Sequence, residues 1–197
     1  METLSYRPDW TNSVKQWALE GQGIKYGDED FLLKEKNFPA IVDTGSSIVG
    51  VPGKAFTFIK ENWKKTVPDL DCVIDDNFCQ SNAQCDQVAK NITSISLQIG
   101  GQVFEMKPES YLHQAENRCQ FAVAENQLKG STGNLFLVGD TLLRHLYQVY
   151  DFEHETISLG VNKNSAGEIL MYEAGKRPDD APKLQVKSEN LQIPLEH

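Results

Sequence analysis

The stretch Ala40-Ile41-Val42-Asp43-Thr44-Gly45-Ser46-Ser47 limits what this chain can fold into more than any other. Phe38 to Val42 is a short apolar run that reads as a buried strand, with Pro39 tolerated near its start. Asp43 falls where that strand ends and a tight turn begins. Gly45 lets the backbone turn without a Cβ clash. Thr44, Ser46 and Ser47 place hydroxyl donors around a carboxylate that would otherwise be costly to bury. A second apolar run, Ile48-Val49-Gly50-Val51-Pro52, follows at once. The same residues also suit an ordinary Asp-Gly type turn, and Asp-Thr-Gly by itself does not separate the two readings.

The flanking chain reads mainly as strands. Val14-Lys15-Gln16-Trp17-Ala18-Leu19 alternates, with Trp17 read as core packing, and Phe31-Leu32-Leu33 is a further short strand. Gly21, Gly23 and Gly27 read as the turns of one or two hairpins. Beyond Pro52, the residues Ala55, Phe56, Ile59 and Trp63 form one apolar stripe, which predicts a helix over residues 52–66 that Val67-Pro68 ends. Ile92 to Ile99 alternates, Gly100-Gly101 turns, and Gln102 to Met106 returns, which predicts a β-hairpin. Cys119 to Ala124 is another strand. Phe136-Leu137-Val138-Gly139-Asp140 leads into a short helix over residues 141–147, and two closing strands end at Val161. Residues 162–194 turn polar and charged and read as a partly disordered tail, with Leu184, Val186, Leu191 and Ile193 as the alternative of an edge strand.

Composition excludes several classes. The net charge is −9 and no Lys/Arg cluster marks a nucleic-acid footprint. That charge suits either a solvated acidic surface or an enzyme of an acidic compartment, where protonation relieves self-repulsion. No apolar run approaches a membrane span, and Met1-Glu2-Thr3-Leu4 lacks the basic and apolar regions of a signal peptide. Leu195-Glu196-His197 looks like the remnant of a cloning linker and histidine tag, so the chain is read as a fragment whose two ends carry no function. Cys72, Cys79, Cys85 and Cys119 lack the paired C-x2-C spacing of a zinc site. As disulfides they suit a secreted or lysosomal protein, and four cysteines allow three pairings. Asn91-Ile92-Thr93 is a glycosylation sequon. The four histidines show no ligand or triad spacing.

The Asp43 stretch resembles the catalytic loop of pepsin-like aspartic proteases, in which apolar residues lead into Asp-Thr-Gly-Ser/Thr-Ser and a further apolar run. A second stretch, Phe136-Leu137-Val138-Gly139-Asp140 followed by Leu143-Arg144 and Val149-Tyr150-Asp151, resembles the closing run of that family's C-terminal lobe. The hairpin ending at Pro108-Glu109-Ser110-Tyr111 is similar to a third family segment. The short cysteine loop that many members carry before the catalytic strand is replaced here by Lys34-Glu35-Lys36-Asn37.

The resemblance implies an all-β fold with one long and one or two short helices, forming one lobe of the bilobal acid protease. It spans residues 14–161, between a lead-in segment (residues 1–13), the polar extension (162–194) and the cloning remnant (195–197). It implies a Cys85–Cys119 disulfide, which leaves Cys72 with Cys79. It implies Asp43 as one catalytic aspartate, Thr44 as a hydroxyl bracing two lobes, Gly45 as an amide donor to the carboxylate, and Ser46 as a hydroxyl donor to it. Leu137-Val138-Gly139 is then the structural segment threading beside the loop. No second Asp-Thr/Ser-Gly occurs in the chain, and Asp140 belongs to the structural segment. The partners implied are an N-terminal lobe carrying the other aspartate and a polypeptide substrate, with no cofactor, metal, nucleic acid or membrane. The full protein would be secreted or lysosomal/vacuolar. Two alternatives accompany this reading: a homodimer pairing two Asp43 loops, and a non-catalytic binding or inhibitor protein of the same fold.

Overall fold

The computed structural model describes residues 2–5, 16–30, 38–73, 78–126, 135–165 and 167–179. Within them the chain runs β1 (Glu2–Ser5), β2 (Ala18–Tyr26), β3 (Glu29–Asp30), β4 (Phe38–Val42), β5 (Val49–Val51), α1 (Gly53–Thr66), β6 (Asp71–Val73) and β7 (Phe78–Ser81). It continues through α2 (Cys85–Ala89), β8 (Ile95–Ile99), β9 (Gln102–Met106), α3 (Pro108–Tyr111), β10 (Leu112–Ala115), β11 (Arg118–Phe121) and β12 (Val123–Glu125). It closes with β13 (Phe136–Val138), α4 (Asp140–Leu143), β14 (Leu146–Asp151), β15 (Thr156–Val161) and β16 (Ile169–Glu173). The fold is mostly β, with one long helix and three short ones among the described residues.

A nine-stranded sheet runs β12-β5-β13-β4-β2-β8-β9-β16, with β3 paired to β2. Two smaller sheets, β1-β15-β14 and β10-β11-β7-β6, flank it. One apolar core joins them, built around Phe38, Phe56, Trp63, Phe104, Tyr111, Phe121 and Phe136. The stripe expected on α1 is the one it buries: Ala55, Phe56, Ile59 and Trp63 face inward. Lys64 and Lys65 sit in the last turn of α1, where cations suit the negative end of the helix dipole. Trp63 packs on Phe121 at 4.5 Å between ring centroids and stacks on Tyr111, whose hydroxyl donates to the Thr93 carbonyl.

Several expectations need correction. Gly21 and Gly23 lie inside β2 at a register shift, and the turn comes at Gly27, whose φ is +62°. Gly21 is in the strand because its neighbour leaves no space: a Cβ there would meet the Phe38 ring at 2.7 Å. The run 119–124 splits between two sheets, with β11 in one and β12 in the other. Asn91 is buried, and its side-chain amide donates to the Gln87 carbonyl at 2.9 Å. The short helix stops at Leu143 because β14 begins at Leu146.

Segments on either side of residues 14–161 also contribute structure. β1 pairs with β15, with Leu4 buried beneath the Gly100 turn. The stretch past Val161 is not a tail throughout, since β16 pairs with β9 from Ile169↔Met106 to Glu173↔Gln102. Within the extension, residues 169–173 form a strand at the edge of the nine-stranded sheet. Leu184, Val186, Leu191 and Ile193, the linker remnant, Phe31-Leu32-Leu33 and residues 34–37 lie outside the described residues, as do Val14 and Lys15.

Candidate active site

β13 is inserted between the two strands that flank the Asp43 loop. It runs parallel to β4, with Val138 opposite Val42, and antiparallel to β5, with Val138 opposite Val49. Neighbouring strands are about 4.8 Å apart, so β4 and β5 are separated by roughly twice that and the loop from Asp43 to Ile48 must bridge over the end of β13. The chain leaving β13 therefore emerges directly under the loop. That is why residue 139 is glycine: a Cβ there would land on the carbonyl oxygens of Ser46 and Ile48. Leu137, Val138 and Gly139 thus lie beside the loop, as the resemblance implies.

The loop is held mainly by backbone bonds. The Asp43 amide donates to the Val138 carbonyl at 3.0 Å, and the Ser46 amide to the Asp43 carbonyl at 3.2 Å. The Asp140 amide donates to the Ser46 carbonyl at 2.7 Å. The Asp43 carboxylate is half-buried and accepts the Gly45 amide at 2.9 Å through Oδ1. Thr44 and Gly45 are exposed. The Ser46 hydroxyl departs from its implied role: it donates to the Ile48 carbonyl at 3.3 Å rather than to the carboxylate. That bond turns the hydroxyl along the backbone toward β5. The chemical content of this arrangement is an accessible carboxylate, oriented by an amide, at the end of a buried strand.

Asp140 is exposed at the start of α4, and its charge acts on His113 and His145. The two disulfides are Cys72–Cys79, joining opposed residues of the β6–β7 hairpin, and Cys85–Cys119, joining α2 to β11. Among the described residues, no cluster of three or more His, Cys, Asp or Glu is placed to hold a metal ion. A cavity of about 680 Å³ is lined by Lys25, Glu105, Tyr172 and Arg177 among others, and none of its lining residues belongs to the Asp43 loop.

Sequence reasoning missed one group of residues near the site. Arg144, His113 and His145 gather behind α4. The Arg144 guanidinium donates to the Ser110 carbonyl at 2.9 Å and to His145 Nε2 at 3.1 Å, and lies 3.4 Å from His113 Nδ1. His145 Nδ1 lies 2.9 Å from the Ser165 hydroxyl. No spacing announces this cluster, because His113 comes from β10, Arg144 and His145 from the turn after α4, and the Ser165 hydroxyl from the segment after β15.

A loop of this geometry, threaded over a glycine and capped by the Gly45 amide, defines a class as well as a site. The chain belongs to the eukaryotic aspartyl protease family, whose model matches residues 6–162. It is similar to gastricsin of Homo sapiens, with 25% identity over 149 residues, covering 75% of this chain and 34% of that protein. It is also similar to vacuolar protease A of Neurospora crassa (23% identity, 75% of this chain, 34% of that protein). Renin-2 of Mus musculus is 24% identical over 76% of this chain and 36% of its own length. The crystal structure of an aspartic proteinase from Irpex lacteus superposes with a TM-score of 0.64 at 19% identity, over 82% of this chain and 46% of that one, a likeness of fold. The chain spans about a third of the length of these curated relatives.

Proposed function

We propose that this chain is the C-terminal lobe of an aspartic endopeptidase and supplies one of its two catalytic aspartates, Asp43. The observation that carries the reading is the half-buried Asp43 carboxylate, oriented by Gly45 and flanked by the exposed Thr44, on a loop threaded over Gly139. Peptide hydrolysis by this class needs two carboxylates that share one proton across a water. One takes a proton from the water as it attacks the scissile carbonyl, and the other, protonated, donates to the carbonyl oxygen. Two carboxylates about 3 Å apart cannot both ionise, so the pair spans base and acid, and aspartic proteases are themselves the usual illustration of this split. One Asp-Thr-Gly supplies half of such a pair.

The other half would come from an N-terminal lobe. Two facts support this: the chain spans about a third of its relatives' length, and it exposes an apolar face. Tyr147 (63% exposed) and Val149 (51%) alternate on one side of β14, and Phe152 (78%) follows. β14 ends its sheet, with no further strand beyond it among the described residues. An apolar outer strand of this kind suits a partner surface. Thr44, exposed on the loop, would brace the opposing loop. The disulfides and the vacuolar and gastric names among the relatives support a secreted or vacuolar full-length protein.

The test is cleavage of an unfolded polypeptide at about pH 4, where a carboxylate pair can hold a single proton, by the chain alone and with an N-terminal lobe of the same protein. The lone chain is expected to be silent, the mixture active, and the mixture with Asp43→Asn silent. Activity of the lone chain rising with the square of its concentration would instead establish a homodimer. Activity proportional to concentration would place a second acid within this chain. A properly assembled two-lobe protein that binds peptide but never cleaves it would establish the non-catalytic reading.

A further inference from the structure

The Asp43 loop buries little of itself, since Thr44, Gly45 and Ser47 are exposed, so its shape depends on what holds its far limb. That hold comes from α4. The Asp140 amide takes the Ser46 carbonyl at 2.7 Å. The next residue, Thr141, takes the Ser47 carbonyl twice, through its hydroxyl at 2.7 Å and its amide at 3.3 Å. Thr141 is fully buried. A hydroxyl in that position must find a partner or pay a desolvation cost, and Thr141, second in α4, has no preceding turn of its own helix to supply one. Here it reaches a residue 94 positions away in the sequence instead.

The consequence follows from peptide planarity. Holding the Ser46 and Ser47 carbonyls sets two successive peptide planes of the loop. The Ser46 amide, which bonds the Asp43 carbonyl, belongs to the same short segment, and so does the Gly45 amide that orients the carboxylate. The backbone bond from Asp140 needs no particular side chain, whereas the hydroxyl bond needs Thr or Ser at residue 141. We propose that Thr141 is a positioning residue for Asp43, its hydroxyl fixing the far limb of the loop so that the carboxylate is presented in one orientation. The proposal rests on the reading of Asp43 as catalytic, and it assigns Thr141 no contact with substrate.

The experiment compares Thr141→Val, which keeps volume and branching without the donor, with Thr141→Ser, which keeps the donor. On the chain as it stands, amide exchange is followed by NMR at Ser46 and Asp140, with Leu97 in β8 as the reference for global opening. In Thr141→Val the Ser46 and Asp140 amides are expected to exchange about tenfold faster or more while Leu97 is unchanged, since local opening differs from global unfolding. Thr141→Ser is expected to match the parent chain. In the assembled two-lobe enzyme, Thr141→Val should lower kcat by about tenfold or more with KM nearly constant, the signature of a misplaced reacting group, and Ser should restore it. Unchanged exchange at Ser46 and Asp140, an equal acceleration at Leu97, or a Ser variant as impaired as Val would each overturn the proposal. A normal kcat alongside loosened amides would overturn it too. The exchange arm does not depend on protease activity, so loosened amides in an assembled protein that never cleaves peptide would count against the proposed function and not against Thr141's hold on the loop.

Discussion

Gly139 and Trp63 show two ways in which a single residue can be irreplaceable. At Gly139 the constraint is space. The carbonyl oxygens of Ser46 and Ile48 occupy the place of any side chain, and backbone cannot swing aside as a flexible side chain can. Gly139→Ala is therefore expected to destabilise the chain by roughly 2–3 kcal/mol, at the upper end of the overpacking range, as read by urea denaturation. It should also displace the Asp43 loop. At Trp63 the constraint is volume. Its ring is fully buried against Phe56, Tyr111 and Phe121. Trp63→Ala is expected to cost about 3–5 kcal/mol, the usual range for emptying a buried aromatic site. A loss below about 1 kcal/mol would mean that the core collapses freely around the gap.

At the scale of elements, α4 joins the Asp43 loop at one end to the Arg144–His113–His145 cluster at the other. Burial, and then the Arg144 charge, push both histidines below their ordinary pKa; Asp140 opposes this at both rings, and Glu168 and the Ser110 backbone oppose it at His145. The charge of His145 also adds to the depression at His113. Arginine offers no acceptor, so the Arg144–His145 bond requires an unprotonated Nε2. The folded state thus prefers neutral rings, and the unfolded chain binds more protons below the ordinary value of about 6.5. The stabilisation is full above that value and is lost as pH falls through the lowered folded values. Urea midpoints are expected to fall between about pH 7 and pH 5, with a shallower slope when His113 and His145 are both replaced by Gln. An unchanged slope in the double variant would show that the rings do not titrate with folding.

The other element-scale device is β16. Its Tyr172 hydroxyl and the Arg177 guanidinium, which follows it, converge on the buried Glu105 of β9, Arg177 through two bonds of 2.9 and 3.0 Å. Arg177→Met leaves that buried carboxylate without its cation, with only the Tyr172 hydroxyl still donating to it, and is expected to destabilise by roughly 3 kcal/mol, the low end for a broken buried pair. The double variant Arg177→Met with Glu105→Gln should recover part of the loss, since the uncompensated charge is gone.

For the whole molecule, the covalent frame and the exposed face of β14 matter most. Cys85–Cys119 closes a 34-residue separation. Replacing both cysteines with Ser is expected to lower stability by about 3–4 kcal/mol, chiefly by freeing the unfolded chain. The apolar face of β14 leads to a further expectation: Tyr147→Lys with Val149→Lys should leave the lone chain folded and weaken its association with an N-terminal lobe. Sedimentation of the mixture reads this directly. Undiminished association would place the partner surface elsewhere.

The local sequence determined those features whose physics is local. The α1 stripe buries as its period requires, the hairpin turns at Gly100-Gly101 where both residues take positive φ, and Asp43 falls at the end of its strand. The family motif placed Gly139 beside the loop, because the residues that thread there are constrained by one another. What tertiary structure decided was every arrangement set by neighbours distant in the chain. Gly21 reads as a turn until Phe38 is packed against it. The stretch after Val161 reads as a polar tail because β16 needs the edge of β9, and its buried salt bridge needs Glu105, about 70 residues earlier. Thr141 carries no signal in its own neighbourhood: its hydroxyl is assigned by Ser47, 94 residues away, and only the closed fold brings the two together.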